Sequence, residues 1–155
     1  FPYTTLFRSN PAAINIGGAN GTNFAVIERR RNRQAETLNI DQFGLSTVES
    51  LISAQIMQNQ YPIIATGGIQ SANDVITSLM LGATLVSSAG FMLKTLMDDG
   101  QSALVQQIEG WQSALPRLLT LLGAQSNQEL AEKQRLYSPS LQNFITQQKA
   151  SPENR

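Results

Sequence analysis

Apolar residues along this chain follow two rhythms. Short β-branched runs closed by small residues recur three times: Ala12–Ile16 before Gly17-Gly18, Pro62–Thr66 before Gly67-Gly68, and Thr84–Ser87 before Ala89-Gly90. Runs of this length and composition predict buried strands that end in tight loops. Helical spacing fills the intervals. Val48, Leu51, Ile52, Ile56 and Met57 predict a helix over 46–57, with Ser46 or Thr47 as cap and Glu49 or Ser50 behind it. Val75, Ile76, Leu79 and Met80 predict another over 71–81, with Ser71 as N-cap, Asp74 at the positive end of the dipole and Gly82 as the stop. Phe91–Met97 reads as a third, ended by Asp98-Asp99-Gly100. Leu104, Val105, Ile108, Trp111, Leu115, Leu118, Leu119 and Leu122 then mark one long amphipathic helix, bent at Pro116. A brief helix over 126–133, capped by Ser126 with Glu129 at the capping-box position, and one more over 138–148 complete the pattern, with a frayed end beyond. Thr22–Arg33 reads either as a short helical turn or as a basic loop.

Strand, loop and helix repeated three times predict βαβ units, hence parallel strands in sequential order with helices on one side. Ile14, Ile16, Ile64 and Val86, or their neighbours, are the expected barrel-facing side chains. Three parallel strands cannot close a barrel, and both faces of a parallel sheet need covering. The expectation is therefore α/β: a small open sheet, or the C-terminal part, about strands 6–8 with their helices, of a (β/α)8 TIM barrel. Residues 1–9, Phe-Pro-Tyr-Thr-Thr-Leu-Phe-Arg-Ser, have no periodicity and resemble the translation of a common sequencing adapter residue for residue. Read so, they lie outside the fold, and the barrel fragment is the expected alternative. The expected organisation is 1–9 adapter-derived, 10–125 barrel part and 126–155 C-terminal helical tail.

Composition narrows the chemistry. The 155 residues are 41% hydrophobic and 14% charged, with 11 glycines, enough apolar material for a packed core. Eleven basic and eleven acidic residues cancel, so no electrostatic footprint for nucleic acid or an acidic membrane is expected. No apolar run reaches 18 residues, so no membrane span is expected. There is no Cys and no His. Within these residues a thiolate nucleophile, a Cys-ligated metal, a disulfide and a Ser-His-Asp triad are excluded. Chemistry must rest on a carboxylate, an amide, a bound cofactor or residues beyond the chain.

Two glycine loops, Gly67-Gly68-Ile69 and Ser88-Ala89-Gly90, each sit between a strand and a helix. Small residues let backbone N–H groups approach an anion, and the helix dipole favours it, so the pair points to a phosphate site. Gly17–Phe24 is the densest glycine stretch, with a hydroxyl and an amide at its end. No Lys-Ser or Lys-Thr follows, so it is not a Walker loop. Arg29, Arg30, Arg31 and Arg33 form either a phosphate clamp or a solvated face partnered by Glu28 and Glu36. Trp111, spaced with leucines, is expected in the core.

At these residues the chain resembles type 2 isopentenyl diphosphate isomerase, the flavin-dependent family. The resemblance rests on Ile16-Gly17-Gly18 through Gly21-Thr22-Asn23-Phe24, Ile27-Glu28 with Arg31, and Phe43-Gly44-Leu45-Ser46-Thr47. It continues through Ile64-Ala65-Thr66-Gly67-Gly68-Ile69, Leu81-Gly82-Ala83, Ser88-Ala89-Gly90 and Thr120-Leu121-Leu122-Gly123-Ala124, covering about Ala12 to Leu130. It implies an FMN-binding (β/α)8 barrel that interconverts isopentenyl and dimethylallyl diphosphate, with NADPH to reduce the flavin and Mg2+ for the diphosphate. Reduced flavin is expected to take part in proton transfer at the substrate double bond. It also implies a cytoplasmic protein that is a homo-oligomer at full length. Thr22 matches a flavin-contacting threonine; Gly67, Gly68, Ile69, Ala89 and Gly90 match the FMN phosphate loops. Asn15 stands where the family has aspartate, Asn20 where it has glycine, Phe43 where it has tryptophan and Asn32 where it has a second arginine. The family's magnesium-binding glutamate, neighbouring glutamine, flavin-contacting lysine and N-terminal basic residues match nothing in this chain. As a fragment it is expected to be inactive alone; another FMN-binding TIM-barrel oxidoreductase is the alternative.

Overall fold

A computed structural model describes residues 10–31, 44–57 and 60–150. Along the chain it forms β1 (Ile14–Gly17), α1 (Phe24–Arg31), α2 (Thr47–Ser53) with a 3-10 turn (Ala54–Met57), and β2 (Ile63–Thr66). It continues with α3 (Ala72–Met80), β3 (Leu85–Val86), α4 (Gly90–Leu121), α5 (Asn127–Glu132) and α6 (Pro139–Ala150). The adapter-like residues 1–9, Asn32, Arg33, Glu36, Phe43 and the end of the chain lie outside the described residues. Among the described residues no helix is long and apolar enough to cross a membrane.

The three strands are parallel in the order β1-β2-β3, as the alternation of strand and helix requires. Register decides which side chains share a face. Ile14 pairs with Ile63, Ile16 with Ala65, and Ala65 with Val86. All of these belong to the main core with Leu51, Ile52, Leu81 and Ala83. The intervening positions, Asn15 beside Ile64, Ile64 beside Leu85, and Gly17 beside Thr66, take the opposite face. The expected barrel-facing set is corrected here. Ile14, Ile16 and Val86 face the helix layer, and Ile64 alone of the four lies on the other side. A one-residue shift in phase exchanges every side chain between faces; Ile14-Asn15-Ile16 alternates, but the apolar run Ile63-Ile64-Ala65 carries no alternation from which to read its phase.

Serine caps start four helices, Ser138 among them, whose hydroxyl accepts from Leu141 N–H at the start of α6. The Ser46 hydroxyl accepts from Glu49 N–H and the Glu49 carboxylate accepts from Ser46 N–H, a closed capping box on α2. Ser71 accepts from Asp74 N–H on α3, and Ser126 from Glu129 N–H on α5. α3 ends at Leu81 and Gly82, the latter at φ 94°. α4 breaks where the sequence placed the end of the Phe91–Met97 helix, at Gly100, and not at Pro116. The backbone leaves helical angles at Gly100, φ 86° and ψ 177°, a region that favours glycine. Trp111 is half-buried rather than central; it stacks on Phe91 with centroids 6.0 Å apart and an interplanar angle of 4°.

A second core joins Ile76, Ala124 and Leu130 to Leu79, Met80, Leu115, Leu118 and Leu119. Arg135 fastens the segment that follows, donating to Met80 O at 2.6 Å and Ala131 O at 2.9 Å. Tyr137 and, from α6, Leu141, Phe144 and Ile145 pack against the main core, and Gln148 donates to the Ser53 hydroxyl on α2. The last helix thus folds back over the helix layer.

Candidate functional site

The C-terminal ends of β1, β2 and β3 open into one cleft of about 700 Å³. Parallel pairing brings the three following loops side by side there, although they are separated along the chain. Thr22, Gly67, Gly68, Ile69, Ala89 and Gly90, the residues singled out from the sequence, all line it. Ser88, from the expected third loop, lines it as well; Asn15, Thr66, Ser87 and Phe91 line it too and were not among the expected site residues. Asn15 and Thr66 come from the sheet face opposite the core, where the Thr66 hydroxyl donates to Asn15 Oδ1 at 2.9 Å. In the sequence Asn15 is the polar residue between Ile14 and Ile16, whereas Thr66 ends an apolar run that shows no phase.

The loops are packed backbone against backbone. A Cβ on Gly18 would lie 2.1 Å from Thr47 N, and one on Gly21 2.5 Å from Gly67 Cα. Gly67 and Gly68 have φ of 90° and 73°, and a Cβ on Gly68 would sit 2.5 Å from Asn20 Cβ. These four glycines are therefore demanded by the chain itself. Gly90 differs: its φ is ordinary and a Cβ there meets nothing within 4 Å.

Serine ties the second loop to the third: Ser88 Oγ donates to Ile69 O at 2.7 Å. Asp74 accepts from Gln70 N–H at 3.0 Å. Among the described residues none accepts a hydrogen bond from the N–H of Gly68, Ile69, Ala89 or Gly90. α4 starts at this cleft behind Ala89 with no side-chain cap, in contrast to the serine caps of α2, α3, α5 and α6. Among the described residues no charged one lines the cleft. A neutral wall, open N–H groups and a helix N-terminus suit an anion. A smaller hollow on the other side of the Gly67-Gly68 loop includes Asp74, whose carboxylate would repel one.

The charged groups lie elsewhere. Arg31 pairs with Glu28 at 3.8 Å, both largely exposed, which fits the solvated reading of the basic cluster at that residue. Asn23 spends its amide oxygen on Val26 N–H at the start of α1, leaving Thr22 as the exposed hydroxyl of that loop. Glu49 is held below the usual carboxylate range by the Ser46 hydroxyl and N–H. Lys94 is raised by its hydrogen bond to Asp98.

Residues 40–137 match the family described as FMN-dependent dehydrogenase. The chain belongs to that family. It is 46% identical over 147 residues to the isopentenyl-diphosphate delta-isomerase of Lactococcus lactis subsp. lactis, covering 95% of this chain and 42% of that protein. It is 40% identical over 129 residues to the protein of the same name from Moorella thermoacetica, covering 83% and 37%. The chain thus spans about two-fifths of the length of the curated relatives it matches. Among solved structures, the L230A mutant of flavocytochrome b2 with benzoylformate superposes with a TM-score of 0.54 at 20% identity, covering 92% of this chain and 43% of that one. The architecture of this FMN-dependent dehydrogenase family member is accordingly α/β of the TIM-barrel type, which decides between the barrel and the small open sheet.

Proposed function

We propose that residues 10–125 are the strand-six-to-eight part of an FMN-binding (β/α)8 barrel, extended by a helical segment from 126 onward, and that the whole protein interconverts isopentenyl and dimethylallyl diphosphate. One observation carries the cofactor assignment. The N–H groups of Gly68, Ile69, Ala89 and Gly90 share one uncharged cleft with no partner among the described residues. A phosphate monoester supplies the acceptors these donors lack, and the uncapped start of α4 stabilises its charge. Thr22 would meet the flavin further along the cleft. FMN, when bound, supplies a ring that takes up and releases electrons and protons. This chain's own residues bind its phosphate, orient it from two adjacent strand ends and keep carboxylates away from it.

The isomerase reading draws its support from the relatives' names and from their identity to this chain. In this reading NADPH reduces the flavin, Mg2+ binds the substrate diphosphate through residues outside 10–155, and the complete protein is a cytoplasmic homo-oligomer. The test is a chimera in which residues 10–155 replace the segment they match in the Lactococcus lactis relative. It should hold FMN, read by flavin absorbance after gel filtration, and convert isopentenyl to dimethylallyl diphosphate. A folded, flavin-loaded chimera that does not isomerise would overturn the activity. One that folds without flavin would overturn the cofactor site.

A further inference from the structure

Thr47 stands outside the cleft yet holds two of its loops. It is 7% exposed. Its Oγ1 donates to Gly67 O at 2.6 Å, and its N–H donates to Asn20 Oδ1 at 3.3 Å. Gly67 O belongs to the peptide that links Gly67 to Gly68, and both flanking residues are glycines at positive φ. Neither flanking residue carries a Cβ, so the orientation of that peptide plane rests on the packing of the neighbouring loop backbone and on the partner of its oxygen. What holds its oxygen therefore decides where its N–H points. Among the described residues there is no cis peptide bond, and in a trans peptide C=O and N–H point in opposite directions. With the oxygen drawn down onto the buried hydroxyl, Gly68 N–H is turned up into the cleft.

We propose that Thr47 is a positioning residue for the cofactor phosphate: its hydroxyl fixes the Gly67-Gly68 peptide so that Gly68 N–H is presented to the anion before binding. This rests on the reading of the cleft as the FMN phosphate site, and on that reading it assigns a role to a residue that does not touch the ligand. Without the hydroxyl, the half-buried Gly67 O loses its 2.6 Å donor, and the plane is less firmly held with Gly68 N–H towards the cleft. Donors fixed in advance bind more tightly than donors that must be ordered by the ligand.

The measurement compares FMN with riboflavin, which has the same ring and ribityl chain but no phosphate, on the chimera described above. Dissociation constants are taken from quenching of flavin fluorescence. Thr47→Val, close to threonine in shape but lacking the hydroxyl, should weaken FMN by about tenfold to a hundredfold, the loss of one charge-assisted hydrogen bond. It should leave riboflavin within about twofold. Thr47→Ser, which restores the hydroxyl, should recover FMN affinity. Thr47→Ala gives the same ratio of FMN to riboflavin loss should the valine variant fail to fold. Equal losses of FMN and riboflavin would overturn the proposal and make Thr47 a packing residue, as would unchanged FMN affinity. An unsubstituted protein that binds riboflavin as tightly as FMN would overturn the phosphate reading itself, and this proposal with it.

Discussion

Gly90→Val is the substitution that separates a ligand-binding glycine from a structural one. At Gly68 the two demands coincide. A side chain there would meet Asn20 Cβ at 2.5 Å with φ at 73°, so Gly68→Val disturbs the loops whatever binds beside them. At Gly90 a Cβ meets nothing within 4 Å and the backbone is ordinary. Valine replaces glycine there at the first turn of α4, where the change in helix propensity is a few tenths of a kcal/mol and of favourable sign. The added methyl groups instead occupy space along the cleft, where the phosphate would approach the N–H groups of Ala89 and Gly90. Charge-assisted bonds contribute roughly 1.5–3 kcal/mol each. At about 1.4 kcal/mol per decade, losing one or two weakens FMN by about tenfold to a thousandfold. The assay is FMN titration of the chimera followed by absorbance, with thermal melts of the apoprotein alongside. Gly90→Val should lose affinity with its melting temperature unchanged. Gly68→Val should lose both, because strain at positive φ and a backbone clash together cost on the order of 2–4 kcal/mol. Unchanged FMN affinity in Gly90→Val refutes the phosphate assignment at α4 and leaves its glycine a turn residue.

Gly110, in the second half of α4, has open space where a Cβ would go; Gly110→Ala should stabilise the chimera by roughly 0.5–1 kcal/mol in urea unfolding. Leu130 is fully buried in the second core, and Leu130→Ala should cost about 2–5 kcal/mol in the same measurement. Glu49 is held below its ordinary value of 4.5 by Ser46, so its charge stabilises α2 above that value, and the contribution is lost as pH falls through the lower folded-state value. Glu49→Gln should therefore cost roughly 0.3–1 kcal/mol near neutrality and nothing in strong acid, checked by urea unfolding of both proteins across that range. The isolated 155-residue chain exposes Leu85 at 60%, Met97 at 76%, Leu121 at 82% and Leu136 at 94%. That much apolar area in water, at roughly 25 cal/mol per Å², cancels most of the margin of a small domain. Expressed alone it should be aggregated or molten, and a sharp cooperative melt from a monodisperse monomer would contradict this.

Local chemistry wrote much of this protein into its sequence. Ser46 with Glu49, Ser71 with Asp74, and Gly82 each act on hydrogen bonds within a turn, so the starts of α2 and α3 and the stop of α3 needed no tertiary knowledge, whereas the helix expected over 46–57 gives way to a 3-10 turn after Ser53. The three strands and their parallel order were equally legible, because a strand–loop–helix repeat has few right-handed solutions. The glycine loops that line the cleft were legible for the same reason: each punctuates a strand end. Other features depended on what meets across space. Which of the four residues or their neighbours turn to the helix layer was not legible, because Ile63-Ile64-Ala65 shows no alternation and its phase was set by pairing β1 and β3 against β2. Thr66 reached the cleft by that phase alone. Thr47 looked like a cap beside Ser46; its hold on Gly67 spans 20 residues of sequence and exists only once β2 lies against α2. Gly18 and Gly67 looked like two examples of one kind of turn. Only the packed loops show that Gly18 is glycine because Thr47 leaves no room for a side chain, and Gly67 because its φ is positive.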